Sequence, residues 1–146
     1  MRVSVQRIQE LAEIEIIINC PEETNEVRNI VSKLNSIDGK VQGRINGEYF
    51  QLSADDILYI DSVDRKTFLY SESAIYETDK RLYELETSLK HCSFFRVSKS
   101  IIINLKRVKS LRPEIGSRLL LTMDNDEKII ASRQYSSIIK QTLEVN

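Results

Sequence analysis

Histidine occurs once in this sequence, at position 91, cysteine twice, at positions 20 and 92, and glycine only four times. A lone histidine without a serine or cysteine nucleophile motif makes no catalytic triad, and four scattered glycines make no phosphate-cradling loop. Cys20 and Cys92 have neither a C-x-x-C spacing nor a histidine-rich neighbourhood, so no zinc site and no disulfide scaffold is expected. Cys92 lies beside a basic stretch, which leaves two readings open, a redox-sensing thiol or a buried structural one. The acidic groups at Asp55-Asp56 and from Asp124 to Glu127 fall at turns, where acids are ordinary. The expectation is a protein that is not an enzyme, with no cofactor, no metal and no small-molecule substrate.

Long apolar runs are missing as well. The longest candidate, Ile14 to Cys20, is interrupted by Glu15 and falls far short of the roughly 18 residues that a membrane helix needs. The first seven residues lack the apolar core of a secretory signal, so a cytoplasmic location is expected. With 41% apolar and 29% charged residues over 146 positions, the chain fits a folded domain, alone or with an appendage.

Acidic side chains are wholly absent between Glu86 and Glu114. That stretch holds Lys90, Arg96, Lys99, Lys106, Arg107, Lys109 and Arg112, and with a net charge of −1 overall the rest of the chain is left at −8. A concentrated cationic stretch on an acidic protein suits a polyanion, and nucleic acid is the simplest one. The competing reading is a solvated charged face.

Hydrophobic periodicity sets the expected elements. Residues 2–8 and 13–20 read as two strands. Pro21 suits a first helical position, with Glu22, Glu23 and Glu26 at the positive end of the helix dipole and Val27, Ile30, Val31, Leu34 and Ile37 as one stripe before Asp38-Gly39. Asn46-Gly47 between Gln42–Ile45 and Glu48–Leu52 is a hairpin signal. Strands are further expected at 57–60, 67–70 (after an Asp64-Arg65-Lys66 turn), 74–77, 94–97, 101–103, 107–111, 119–123 and 128–131. Thr78 or Asp79 can cap a short helix whose Leu82, Leu85 and Leu89 share a face, and a last helix runs from about Arg133 to Leu143. Phe94, Phe95, Ile101 and Ile103, with Tyr59, Tyr70, Tyr76, Tyr83 and Tyr135, are candidate core residues. Asn104, ending an apolar run, reads as a residue hydrogen-bonded to backbone.

The run Phe94-Phe95-Arg96-Val97-Ser98-Lys99-Ser100-Ile101-Ile102-Ile103-Asn104, followed by Val108-Lys109-Ser110-Leu111, resembles the LytTR DNA-binding domain family. Ile57 to Val63 with Thr67, then Leu82 to Glu86 with Leu89, and finally Leu119 to Met123, Glu127 to Ser132, Arg133 and Tyr135 resemble that family in the same order. The resemblance implies a mainly β fold with short helices, an antiparallel domain of about ten short strands over residues 44–146. A β-β-α extension over residues 1–43 would precede it, as a possible dimerisation or partner-binding element.

By the same resemblance the partner is double-stranded promoter DNA, entered by loops in its major groove. The contacts carry over to Arg65, Lys66 and Thr67, to Arg96, Ser98 and Lys99, and to Arg133. Ser98 replaces a frequent histidine and Thr67 a different polar residue, so base preference is not transferable. The 43 residues upstream are too few for the receiver domain that many members carry, so control by aspartyl phosphorylation within this chain is not expected. The amphipathic helix and strand edge of residues 1–43 need burial: they could pack on the DNA-binding domain, form a homodimer that reads repeated half-sites, which is the favoured reading, or receive the small membrane protein that the resemblance implies as a restraint on DNA binding.

Individual residues carry alternatives. Arg133 opens a helix, where an exposed cation is disfavoured by about 0.3–1 kcal/mol, and an arginine joined by free backbone N–H groups makes an anion site. Arg96 is either a contact or a brace paired with a carboxylate such as Asp61. Lys106, Arg107 and Lys109 are expected to touch phosphate without reading sequence. RNA binding is a third possibility, without an RNP-type aromatic pattern or a G-x-x-G loop in its favour.

Overall fold

The computed structural model describes residues 1–37, 39–90 and 92–143. His91, and the Asp38 expected to help stop the first helix, lie outside the described residues. No described helix is long and apolar enough to cross a membrane.

Residues 1–24 carry no strand, which corrects the expectation of two. A strand persists where a neighbour takes up its N–H and C=O groups and buries one face. Here Val3, Val5 and Ile14 are 79%, 94% and 91% exposed. The first helix, α1 (Asn25–Ile37), begins at Asn25 and not at Pro21. Thr24 is the better cap: its Oγ1 accepts from the Val27 N–H at 3.4 Å and its carbonyl from the Arg28 N–H at 3.0 Å. A threonine hydroxyl in that position satisfies one of the helix's orphan donors. Val27, Ile30 and Leu34 are half-buried while Val31 is exposed.

Strands β1 (Lys40–Ile45) and β2 (Glu48–Ser53) form the hairpin that Asn46-Gly47 demands. Both turn residues are left-handed, at φ 50° and 80°, the twist that a two-residue hairpin needs. β1 runs across the boundary expected after residue 43. Then follow β3 (Tyr59–Val63), β4 (Lys66–Tyr70), β5 (Ile75–Thr78), α2 (Leu82–Ser88), β6 (Phe94–Arg96) and β7 (Ile101–Asn104). The chain closes with β8 (Val108–Glu114), β9 (Arg118–Met123), β10 (Lys128–Ala131) and α3 (Arg133–Thr142). The order β2-β1-β5-β4-β3-β7-β6 makes a seven-stranded antiparallel sheet, and β10-β9-β8 a three-stranded one. This is the mostly antiparallel β architecture expected, with ten strands and three short helices.

Alternation along the central strands divides the core. Ile60 and Ile102 face Leu82, Leu85 and Leu89 of the α2 region, while Tyr59 and Ile103 face Leu119, Leu121 and Ile139 of the small sheet and α3. Phe94 is buried, and Phe95 and Ile101 pack half-buried against the second cluster. The Tyr59 and Tyr70 rings stack with centroids 4.4 Å apart. Tyr83 departs from expectation at 67% exposed, because a seven-residue helix buries only the face that holds Leu82 and Leu85. The α2 cap is neither Thr78, buried in β5, nor Asp79; the Arg81 N–H donates to Glu84 Oε1 at 3.1 Å across the first turn.

Asn104 is fully buried and explains how the two cores join. Its Nδ2 donates to the Ile57 carbonyl at 2.9 Å and the Ala54 carbonyl at 3.4 Å, and its Oδ1 accepts from the Lys106 N–H at 3.1 Å. Three backbone groups at the turns before β3 and β8 are thereby satisfied by one side chain.

Candidate nucleic-acid interface

Two backbone hydrogen bonds bring three loops to one edge of the fold. The Ser62 N–H, near the end of β3, donates to the Ser100 carbonyl at 2.9 Å, and the Ser132 N–H, before α3, donates to the Val97 carbonyl at 2.8 Å. The segment from Val97 to Ser100 is thus flanked by the β3–β4 hairpin on one side and by the start of α3 on the other. Arg65, Lys99 and Arg133 occupy these three places. Their side chains, and that of Lys66, are exposed and make no hydrogen bond or ion pair among the described residues.

Each loop presents its cation for a local reason. Asp64 and Arg65 are the two central residues of a hairpin whose flanking pair is Val63 and Lys66, and both are left-handed, at φ 51° and 66°. That conformation costs a side-chain-bearing residue about 1–2 kcal/mol relative to glycine's freedom. An arginine held there stands clear of both strands. Thr67 does not: at 4% exposed it turns into the sheet, since strand alternation places it opposite in sense to Lys66.

Arg96 is the brace rather than a free contact. Its Nε donates to the Ser98 carbonyl at 2.9 Å, its Nη2 to the Lys99 carbonyl, and its Nη1 pairs with Glu86 at 3.2 Å. The carboxylate partner is Glu86 on α2, not Asp61, whose own carboxyl is pushed above its usual range by burial and pulled back by the Ser62 N–H. Ser98 is half-buried, and its Oγ accepts from the Ser100 N–H at 3.3 Å. One guanidinium fork therefore fixes the carbonyls of the loop that carries Lys99.

At the start of α3 the Ser132 side chain makes no capping bond, and while the Tyr135 and Ser136 N–H groups donate to the Ser132 carbonyl at 3.0 Å, those of Arg133 and Gln134 have no partner among the described residues. Open helix N–H groups and a guanidinium together form an anion site.

The remaining cations of the acid-free stretch lie elsewhere. Lys106 and Arg107 follow the far end of β7, about 10 Å or more from the loop at 98–100 at the rise of a strand. Carboxylates from distant segments meet them there. Lys106 pairs with Asp55 at 3.6 Å; Arg107 lies at 3.6–3.8 Å from Asp56, Glu72 and Asp124 and donates to the Asp55 carbonyl at 2.7 Å; Lys109 meets Asp126 at 2.8 Å. These three cations are ion-paired within the protein and lie away from the 98–100 loop, and Arg107 ties the small sheet to the turn before β3.

Sequence reasoning missed one neighbour of the edge. The Oγ of Ser136, a residue 2% exposed in the first turns of α3, donates to the Ser117 carbonyl and anchors the β8–β9 turn beside Arg133. That turn carries Ile115, 88% exposed, and Arg118, whose Nε donates to the Ile115 carbonyl at 3.2 Å. Arg118 follows Glu114 and sits outside the acid-free stretch, so only the buried serine contact reveals it. Cys92 is a half-buried free thiol; burial, and then Asp55, push it up, opposite in sense to the shift that activates a thiolate.

Residues 47–144 match the family model described as the LytTr DNA-binding domain. The chain belongs to the LytTR family. The LytTr DNA-binding domain of a methyl-accepting/DNA response regulator from Bacillus cereus superposes with a TM-score of 0.67 at 28% identity, covering 72% of this chain and 96% of that one. The sensory transduction protein LytT of Bacillus anthracis is 31% identical over 94 residues, 64% of this chain. The chain spans only 38% of the length of that relative. An uncharacterized HTH-type transcriptional regulator of Staphylococcus aureus (strain NCTC 8325 / PS 47) is 25% identical over 132 residues, 89% of each chain. In this LytTR protein the matched region begins at the β1–β2 turn, and all three converging loops fall within it.

Proposed function

We propose that this protein is a sequence-specific transcriptional regulator that binds double-stranded promoter DNA through the edge formed by the β3–β4 hairpin, the 98–100 loop and the start of α3. The observation that carries the reading is the convergence of Arg65, Lys66, Lys99 and Arg133, exposed and without partners among the described residues, while Lys106, Arg107 and Lys109 are ion-paired. The described helices are each separated by strands, so loops rather than a helix pair would enter the major groove. Lys99 and Arg133 would meet base edges or phosphates, and the α3 terminus a phosphate. The regulator acts in the cytoplasm, as a homodimer on repeated half-sites.

Gel-shift titration of promoter fragments from the source genome tests this. Lys99→Ala and Arg133→Ala should each cost discrimination between specific and random duplex, about 1–3 kcal/mol where a base contact is lost. Lys109→Ala should leave affinity nearly unchanged, because its charge is already matched by Asp126. Indifference of the wild type to sequence at moderate salt would overturn the reading.

A further inference from the structure

Among the described residues the N-terminal segment and one sheet edge each lack a backbone partner. Ile14, Ile16 and Ile17 are 91%, 62% and 70% exposed, and residues 13–20 take part in no backbone hydrogen bond with another segment among the described residues. Isoleucine-rich extended chain with open N–H and C=O groups is a strand without a sheet.

The sheets offer four outer strands. β6 is three residues long and β10 four, while β8 carries Pro113 with Lys109 and Arg112. Short length, proline and cations are the usual guards against edge pairing. β2 has none of them: it is six residues long, contains no proline, and has Glu48 as its single charge. In a two-residue hairpin the pairs alternate from a hydrogen-bonded Ile45 and Glu48, so Tyr49, Gln51 and Ser53 direct their N–H and C=O groups outward.

Patterning agrees on both faces. Along residues 13–20, Ile14, Ile16 and Ile18 lie on one face and Glu13, Glu15, Ile17 and Asn19 on the other. Along β2, half-buried Phe50 and Leu52 alternate with exposed Tyr49, Gln51 and Ser53. An added strand would continue the apolar face with Ile14, Ile16 and Ile18, and would bring Glu13, Glu15 and Ile17 to the other. Residues 9–24 hold five glutamates and no cation, and the groove of about 510 Å³ beside β2 is lined by Lys40, Arg44 and Lys80 together with Glu77 and Asp79, which pair with Arg44 at 3.3 and 2.7 Å.

We propose that residues 13–20 of one copy add as an outer strand to β2 of a second copy, and reciprocally. In this chain the segment leaves its own β2 edge open, and a two-fold exchange occupies both segments and both edges at once. The inference specifies the homodimer proposed above, and its test does not involve DNA.

Sedimentation velocity on the full chain across the micromolar range is the measurement. The wild type should sediment as a dimer. Ile16→Glu, at an exposed position, and Gln51→Pro, which removes an outward N–H while leaving the β1 ladder intact, should each sediment as a monomer with an unchanged circular dichroism spectrum. An equimolar mixture of the two variants should recover dimer, because the intact segment of one meets the intact edge of the other. A monomeric wild type overturns both the dimer and the exchange. A dimer that survives Ile16→Glu overturns the exchange alone. Should Gln51→Pro fail to fold, Ile16→Glu decides by itself.

Discussion

Asn104 shows how much one buried polar side chain can carry. Truncation to alanine would strand the Ile57 carbonyl and the Lys106 N–H, both bonded at 2.9–3.1 Å in the native fold. An orphaned buried group costs about 1–3 kcal/mol, so Asn104→Ala should destabilise by about 2–4 kcal/mol, read as a lower urea midpoint with an unchanged m-value. Asn104→Asp should be no better, since the carboxylate cannot donate to either carbonyl. A loss below about 0.5 kcal/mol would show that water replaces the side chain. This role was legible from the sequence, because a polar residue ending an isoleucine run needs partners. The Arg96 alternative was legible only as a choice: Glu86 lies ten residues away on α2, and nothing in strand periodicity says which carboxylate a packed helix will offer.

At the scale of the element, the β3–β4 hairpin sets stability against function. Asn46-Gly47 gives β1–β2 the residues that its left-handed turn prefers, and that hairpin was readable for that reason. Asp64-Arg65 gives β3–β4 the same geometry, at φ 51° and 66°, from less suited residues. Arg65→Gly should therefore stabilise the fold by about 0.5–1 kcal/mol while weakening affinity for duplex DNA. Paired thermal melts and binding isotherms on the variant check both signs, and a variant that gained stability and kept full affinity would remove Arg65 from the interface. The N-terminal strands were misread because alternation identifies a segment able to be a strand, while a strand exists only with a neighbour. Thr67 illustrates a related point: a motif assigns a position to a loop, and pleating decides that its side chain turns into the sheet, at 4% exposed.

Across the whole molecule the acid-free stretch resolves into two charge environments. Its far end is neutralised by Asp55, Asp56, Glu72, Asp124 and Asp126, residues that only folding brings to Lys106, Arg107 and Lys109. No linear count of charge can foresee that. Had all eight cations of the expected contact set faced DNA, the slope of log K against log salt on one half-site would be about −7, at about −0.9 per neutralised phosphate. With Arg65, Lys66, Lys99 and Arg133 free and Arg118 beside them, the expected slope is about −4. Titration of a single half-site duplex over a salt series, with the Ile16→Glu variant to keep one domain per site, separates the two. Lys109→Ala should leave the slope where it was, and Arg133→Ala should make it shallower by about one. A slope near −7 that becomes shallower with Lys109→Ala would mean that DNA outcompetes Asp126 for that lysine, and that the interface extends along β8 to the far end of the fold.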